Sequence, residues 1–89
     1  MVTEGTLKIL NSAGMHARAS TRFVQTANRF RCNVSVEKDG QVVNGKSIMG
    51  VLLLVAAQGS EIKVRCEGED SELCFQALKE LVQDRFGEE

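Results

Sequence analysis

Apolar and polar residues alternate through Thr6-Leu7-Lys8-Ile9-Leu10, with Leu7 and Ile9 on one side, and this period of two predicts a strand. Residues 11–14 are polar and glycine-containing and read as a loop. The period then changes. Ala19, Phe23, Ala27 and Phe30 recur at steps of three and four, which predicts a helix over residues 17–29. Cys32, Val34 and Val36 alternate with Asn33, Ser35 and Glu37 as a second strand. Asp39-Gly40 tolerates positive φ at both positions, so it marks a two-residue hairpin with a short return strand over 41–44. Ser47 is a good N-cap for a second helix, with a buried stripe expected at Ile48, Val51, Leu52 and Val55 and an end at Gln58-Gly59. Met49 and Leu53 fall off that stripe. Either the helix is buried on most sides or it carries an exposed apolar docking patch, and the period alone does not decide. Ile62, Val64 and Cys66 predict a fourth strand. A last helix, capped by Asp70 or Ser71, is expected to bury Cys74, Ala77, Leu78, Leu81 and Phe86.

The element order is β-α-β-β-α-β-α. An apolar sheet face needs cover, so one antiparallel sheet with the helices on one face is the economical α+β arrangement. A ferredoxin-like arrangement is the competitor from element order alone. The 89 residues are expected to form one domain, residues 1–89, with little room for a deep cleft.

Composition narrows the function classes. Four phenylalanines are the whole aromatic content, which disfavours a base-stacking surface for single-stranded nucleic acid. Net charge is −1, but the signs are segregated. Residues 5–36 hold Lys8, Arg18, Arg22, Arg29 and Arg31 and no acid, whereas residues 67–89 hold eight acids against Lys79 and Arg85. That asymmetry suggests an anionic ligand or acidic partner near the front, or else two solvated faces of opposite sign. Cys32, Cys66 and Cys74 form no ligand-spaced pair and read as small core residues of a reducing compartment. The first residues lack the apolar run of a signal peptide, and Val51 to Ala57 is too short to span a bilayer. The expectation is a soluble cytoplasmic protein without membrane insertion.

Two stretches invite chemistry. Residues 40–47, GQVVNGKS, fit the nucleotide-binding pattern G-x-x-x-x-G-K-[ST]. The pattern needs an irregular glycine-rich turn between a buried parallel strand and a long helix. Here Gly40 belongs to a hairpin and Val42-Val43 to a strand, so the match is expected to be fortuitous. The second stretch is NSAGMHARAS, which carries the one histidine, His16, where the basic loop turns into a helix. Unpaired N–H groups at a helix start favour an anion, and Arg18 adds a cation. Imidazole is nucleophilic near neutral pH. These features suit a transient phosphohistidine. They also suit an idle loop histidine. A metal-ligand role lacks a second histidine, and a general-base role lacks a carboxylate nearby in sequence.

The stretch Gly14-Met15-His16-Ala17-Arg18 resembles the active-site motif of HPr, the histidine-containing phosphocarrier of the bacterial phosphoenolpyruvate-dependent sugar phosphotransferase system. Gly45-Lys46-Ser47-Ile48-Met49-Gly50-Val51 resembles the regulatory serine region of the same family. The resemblance implies an open-faced sandwich, a four-stranded antiparallel sheet covered by three helices. It implies that His16 takes a phosphoryl group on Nδ1 from enzyme I and passes it to a IIA component, with Arg18 steadying the group. Ser47 corresponds to the serine modified by an HPr kinase/phosphorylase. Met15, Ile48, Met49 and Leu52 then belong to a docking surface, and no cofactor is implied. One departure stands out: Ala19 occupies the place of the family's proline. A regulatory protein acting through its Ser47 face is a second reading. A nucleic-acid module using Arg18, Arg22, Arg29 and Arg31 is a third.

Overall fold

The computed structural model describes residues 1–88. It contains β1 (Val2–Lys8), α1 (Ala17–Ala27), β2 (Asn33–Lys38), β3 (Gln41–Asn44), α2 (Ile48–Leu53), β4 (Glu61–Glu67) and α3 (Ser71–Gln83), with a 3-10 turn at Arg85–Gly87. The four strands form one antiparallel sheet in the order β1-β4-β2-β3. The β1-α1-β2 unit is therefore split by β4. In the ferredoxin-like competitor it would be split by β3. The three helices lie on one face, so the architecture is the expected open-faced α+β sandwich.

The alternation explains which side is covered. On β4, Ile62, Val64 and Cys66 are buried while Glu61, Lys63, Arg65 and Glu67 are exposed. Val34 and Val36 on β2 and Leu7 on β1 join the same buried layer. Against it α1 sets Ala19, Phe23 and Ala27, and α3 sets Cys74, Leu78 and Val82. The open face carries an ion-pair ladder in which Glu4 meets Lys63 at 3.1 Å and Arg65 at 3.4 Å. Solvent-exposed pairs of this kind keep the face wet and contribute little stability. Asp39 and Gly40 turn the β2–β3 hairpin with φ of 51° and 84°, as the dipeptide predicts.

Three expectations need correction. α2 stops at Leu53, well short of Gln58-Gly59, because Val55 takes φ 48° and turns the chain outward. That conformation is unusual for a β-branched residue. It lets Ala56 tuck back into the core, while Val55 itself is 77% exposed. The buried residues of this segment are thus Val51 and Leu54, not Ile48 and Val55. Phe86 is buried, but from the 3-10 turn past α3, where its own φ is 57°. Asp70 precedes α3 without capping it. Its carboxylate instead accepts N–H bonds from Arg31 and Cys32 at 2.8 and 2.9 Å. The bond from Arg31 chiefly holds the Asp70 carboxyl below the usual carboxylate range, although burial opposes this.

Candidate functional site

The loop before α1 is shaped by its backbone. Gly14 has φ +68°, and a Cβ there would lie 2.5 Å from the Ala56 carbonyl oxygen. The next N–H, of Met15, donates to that same carbonyl at 2.8 Å. The buried Asn11 donates from Nδ2 to the Gly14 carbonyl at 2.8 Å. The chain is thereby fixed two residues before His16, which becomes the N-cap of α1. Ser20 N–H donates to the His16 carbonyl at 2.8 Å, and the buried Ser20 hydroxyl donates to the Met15 carbonyl at 3.0 Å.

Both ring nitrogens of His16 have partners. Nδ1 accepts from the Arg18 N–H at a long 3.3 Å. Nε2 lies 2.7 Å from Oε2 of Glu88. With the proton on Nε2 donating to the carboxylate, Nδ1 presents its lone pair to the helix entrance. The His16 side chain is about a quarter exposed, so the ring is within reach of a partner. Glu88 also accepts from Asn11 Nδ2 at 3.0 Å and lies 3.6 Å from Arg18 Nε. Burial works against its charge. The hydrogen bonds from Asn11 and His16 and the charges of His16 and Arg18 outweigh burial, and the carboxyl sits below the usual range. The Arg18 side chain remains 69% exposed and can swing.

Glu88 is the partner of His16 that the sequence did not disclose. A carboxylate partner for His16 was missing because it lies 72 residues away. The one available signal was the segregation of charge, since the acidic tail folds back onto the basic front. Arg22 also donates to the Phe86 carbonyl, which ties α1 to that tail.

The second motif lies at the start of α2. Ser47 is its N-cap, and Ser47 Oγ accepts from the Gly50 N–H at 3.1 Å. Lys46 donates from Nζ to the Phe30 carbonyl at 2.6 Å, and Val42-Val43 lie in β3. The residues of the nucleotide pattern thus form a hairpin, a strand and a helix cap. Ile48, Met49, Leu53 and Val55 are exposed, Met49 to 72%. Leu52 is half-buried and, with Val55, borders a shallow hollow of 300 Å³ that His16 also lines. The apolar face of α2 is therefore continuous with the histidine. Met15 departs from expectation. It is 5% exposed, packs in the core, and reaches the surface only as part of the floor of that hollow. Its side chain fills the space under the loop, so it supports the surface instead of forming it. Ala19, the departure from the resembled motif, is fully buried in the first turn of α1 and makes a core contact there.

The remaining arginines of the basic front sit beside local groups. Arg29 lies over the Phe30 ring, 5.7 Å from its centroid, and Arg31 borders a hollow shared with Glu67, Glu69 and Asp70. Acids beside Arg31 oppose a phosphate backbone there. Among the described residues no helix is long and apolar enough to cross a membrane.

Comparison with known proteins agrees with this geometry. Residues 3–84 match the family described as PTS HPr component phosphorylation site. The phosphocarrier protein HPr of Xylella fastidiosa is 48% identical over 86 residues, 97% of each chain. The crystal structure of HPr from Thermoanaerobacter tengcongensis superposes with a TM-score of 0.94 at 46% identity, covering 98% of both chains. Crh, the catabolite repression protein of Bacillus subtilis described as a swapped dimer, superposes at 0.76 with 39% identity over 89% of this chain and 91% of its own. A partly exposed histidine at a helix entrance, in this sandwich and with these relatives, identifies the chain as a member of the HPr family, a phosphocarrier of the phosphotransferase system.

Proposed function

We propose that His16 is the phosphoryl acceptor, taking the group on Nδ1 from phosphorylated enzyme I and passing it to a IIA component. The observation that carries this reading is the pairing of His16 Nε2 with Glu88 while Nδ1 faces the start of α1. The Nδ1 lone pair attacks phosphorus as the phosphorus–nitrogen bond of the donor breaks. The proton stays on Nε2, and the ring gains positive charge as the new bond forms. The Glu88 carboxylate stabilises that charge, as the buried aspartate does for the histidine of a serine protease. The Arg18 N–H, released by Nδ1, is then available to a phosphoryl oxygen, and the mobile guanidinium can follow. The carrier supplies nucleophile, position and charge. Partner proteins supply the rest.

Incubation with enzyme I and phosphoenolpyruvate tests the reading. The expected product is one phosphate per chain that is labile in acid and stable in base. A base-labile phosphate, or none, would refute it.

Glu88→Gln keeps a hydrogen-bond acceptor and removes the charge. Acceptance is expected to slow roughly tenfold, the difference between a charged and a neutral hydrogen bond. Stopped-time labelling measures the rate. The pH dependence follows from the depressed Glu88 carboxyl. A group whose folded pKa is lowered contributes stability that is fully present above its unfolded pKa and is lost as pH falls through the folded value. The wild type is therefore expected to keep the His16–Glu88 contact at pH 5 and to lose it only in stronger acid. Glu88→Gln should remove that acid-sensitive step from the titration of the His16 ring signals.

Ser47 is proposed as a regulatory phosphorylation site for an HPr kinase/phosphorylase. Phosphoserine adds nearly two negative charges at a helix start, where the dipole tolerates them, so the fold survives. The same charge sits beside Ile48, Met49 and Leu52, the proposed docking face, and opposes acidic or apolar partners. Ser47→Asp is expected to lower the rate of phosphoryl transfer from enzyme I while shifting the melting temperature little. An unfolded variant, or unchanged transfer, would count against the mechanism. The exposed apolar face of α2 beside Ser47 also favours the second reading, a regulatory partner that binds there. Retained binding of such a partner by His16→Ala distinguishes the two.

A further inference from the structure

The three cysteines are far apart in sequence and meet in space. Cys32 lies just before β2, Cys66 on β4 and Cys74 on α3. Their sulfur atoms all fall within 4.8 Å of one another, and all three residues are buried. The fold draws them together by specific means. Asp70 accepts the Cys32 N–H at 2.9 Å, and its carbonyl accepts the Cys74 N–H at 3.0 Å. Gly68 permits the approach from β4, since a Cβ there would lie 2.8 Å from Cys32 Cα. An open hollow of 630 Å³ lined by Arg31, Gly68, Asp70 and Leu73 reaches Cys32 from solvent.

Three converging sulfurs make a trigonal soft site, and the surroundings choose its occupant. The three sulfurs are buried, and net charge left among them is costly, several kcal/mol per ion in order of magnitude. Three thiolates around a cuprous ion leave two negative charges, and around zinc one. Around trivalent arsenic they leave none. The thiols themselves resist ionisation. Burial, with a hydrogen bond to Cys74, pushes Cys32 up to about 12, and the hydrogen bond with Cys66, with burial, pushes Cys74 higher still. The ammonium of Lys46 acts on Cys74 in the opposite sense but is the weakest of the influences on that thiol, so it does not offset a full charge in the site.

We propose that Cys32, Cys66 and Cys74 form a binding site for trivalent arsenic, taken up as arsenous acid. The step is a ligand exchange without redox change. Three arsenic–oxygen bonds and three S–H bonds break, three arsenic–sulfur bonds form, and the thiol protons leave with the hydroxides as three waters. The site shares no residue with the His16 hollow, so it is independent of the carrier role. Arsenic there would tie β4, α3 and the start of β2 together.

Titration of the native protein with arsenite, read by native mass spectrometry and near-ultraviolet sulfur-to-arsenic absorbance, tests this. One arsenic per chain with loss of three hydrogens is expected, together with a higher melting temperature. Cys32→Ala, Cys66→Ala and Cys74→Ala should each weaken binding by at least about tenfold, the loss that removing even an outer-shell partner of a metal produces. The wild-type mass decides the stoichiometry even if a variant fails to fold. Binding that appears only in denaturant, or that persists undiminished in any folded variant, would overturn the site. Displacement of arsenite by equimolar zinc would overturn the argument from charge.

Discussion

His16→Ala is expected to accept no phosphoryl group from enzyme I and phosphoenolpyruvate, while remaining folded. The variant removes the only imidazole in the chain, and no neighbouring side chain can replace a neutral nitrogen nucleophile. The structural cost is small. The ring is not packed in the core, and the helix cap it provides is a single long contact of 3.3 Å. Loss of an N-cap acceptor typically costs about 1 kcal/mol. The carbonyl of residue 16 still receives the Ser20 N–H, so α1 keeps its first backbone bond. Glu88 retains Asn11 and Arg18. Radiolabelled transfer together with a thermal melt checks both halves. Residual labelling at residues other than 16 would place the acceptor elsewhere.

Gly14→Val is expected to destabilise the protein by about 2–4 kcal/mol, from left-handed strain and overpacking together. The new Cβ would meet the Ala56 carbonyl oxygen at 2.5 Å and Ala57 Cα at 3.0 Å, both backbone atoms that cannot rotate aside. A β-branched residue is also poorly suited to φ +68°. Relief would require the loop to lift, which breaks the Met15–Ala56 hydrogen bond and displaces His16. Urea unfolding should show the lower midpoint, and the folded fraction should accept phosphate more slowly. Gly40→Ala is the control. Its φ is +84°, but nothing lies within 4 Å of the added carbon, so only the strain remains, roughly 1–2 kcal/mol. Equal losses for the two variants would mean that the Ala56 contact does not restrain the loop.

Periodicity located the strands because each has one wet face. Ile62, Val64 and Cys66 could be assigned to the core from spacing alone, and so could Phe23 on α1. Asp39-Gly40 announced its turn through local backbone chemistry. The end of α2 was not legible in this way. It is set by Ala56, which must enter the core and receive the Met15 N–H, so tertiary demand forces Val55 into a conformation its side chain disfavours. Motif residues His16 and Ser47 could be picked out because helix caps and loop histidines have local signatures. Their partners could not. Glu88 meets His16 across 72 residues of chain, and the meeting of three cysteines depends on β4 lying beside β2. Met15, read as surface by its place in the motif, is held inward by the turn at Gly14.

The bond between Met15 and Ala56 has a wider consequence. It joins the histidine loop to the segment leaving α2, so the backbones of the two stretches constrain each other. A visitor that lands on this joined surface finds its backbone already fixed, and the ordering entropy spent on arrival falls mainly on exposed side chains such as Arg18. A small contact can then suffice for recognition and still let go within one turnover. For a molecule that must visit a donor and an acceptor in alternation, stiffness at the landing surface is what permits brevity.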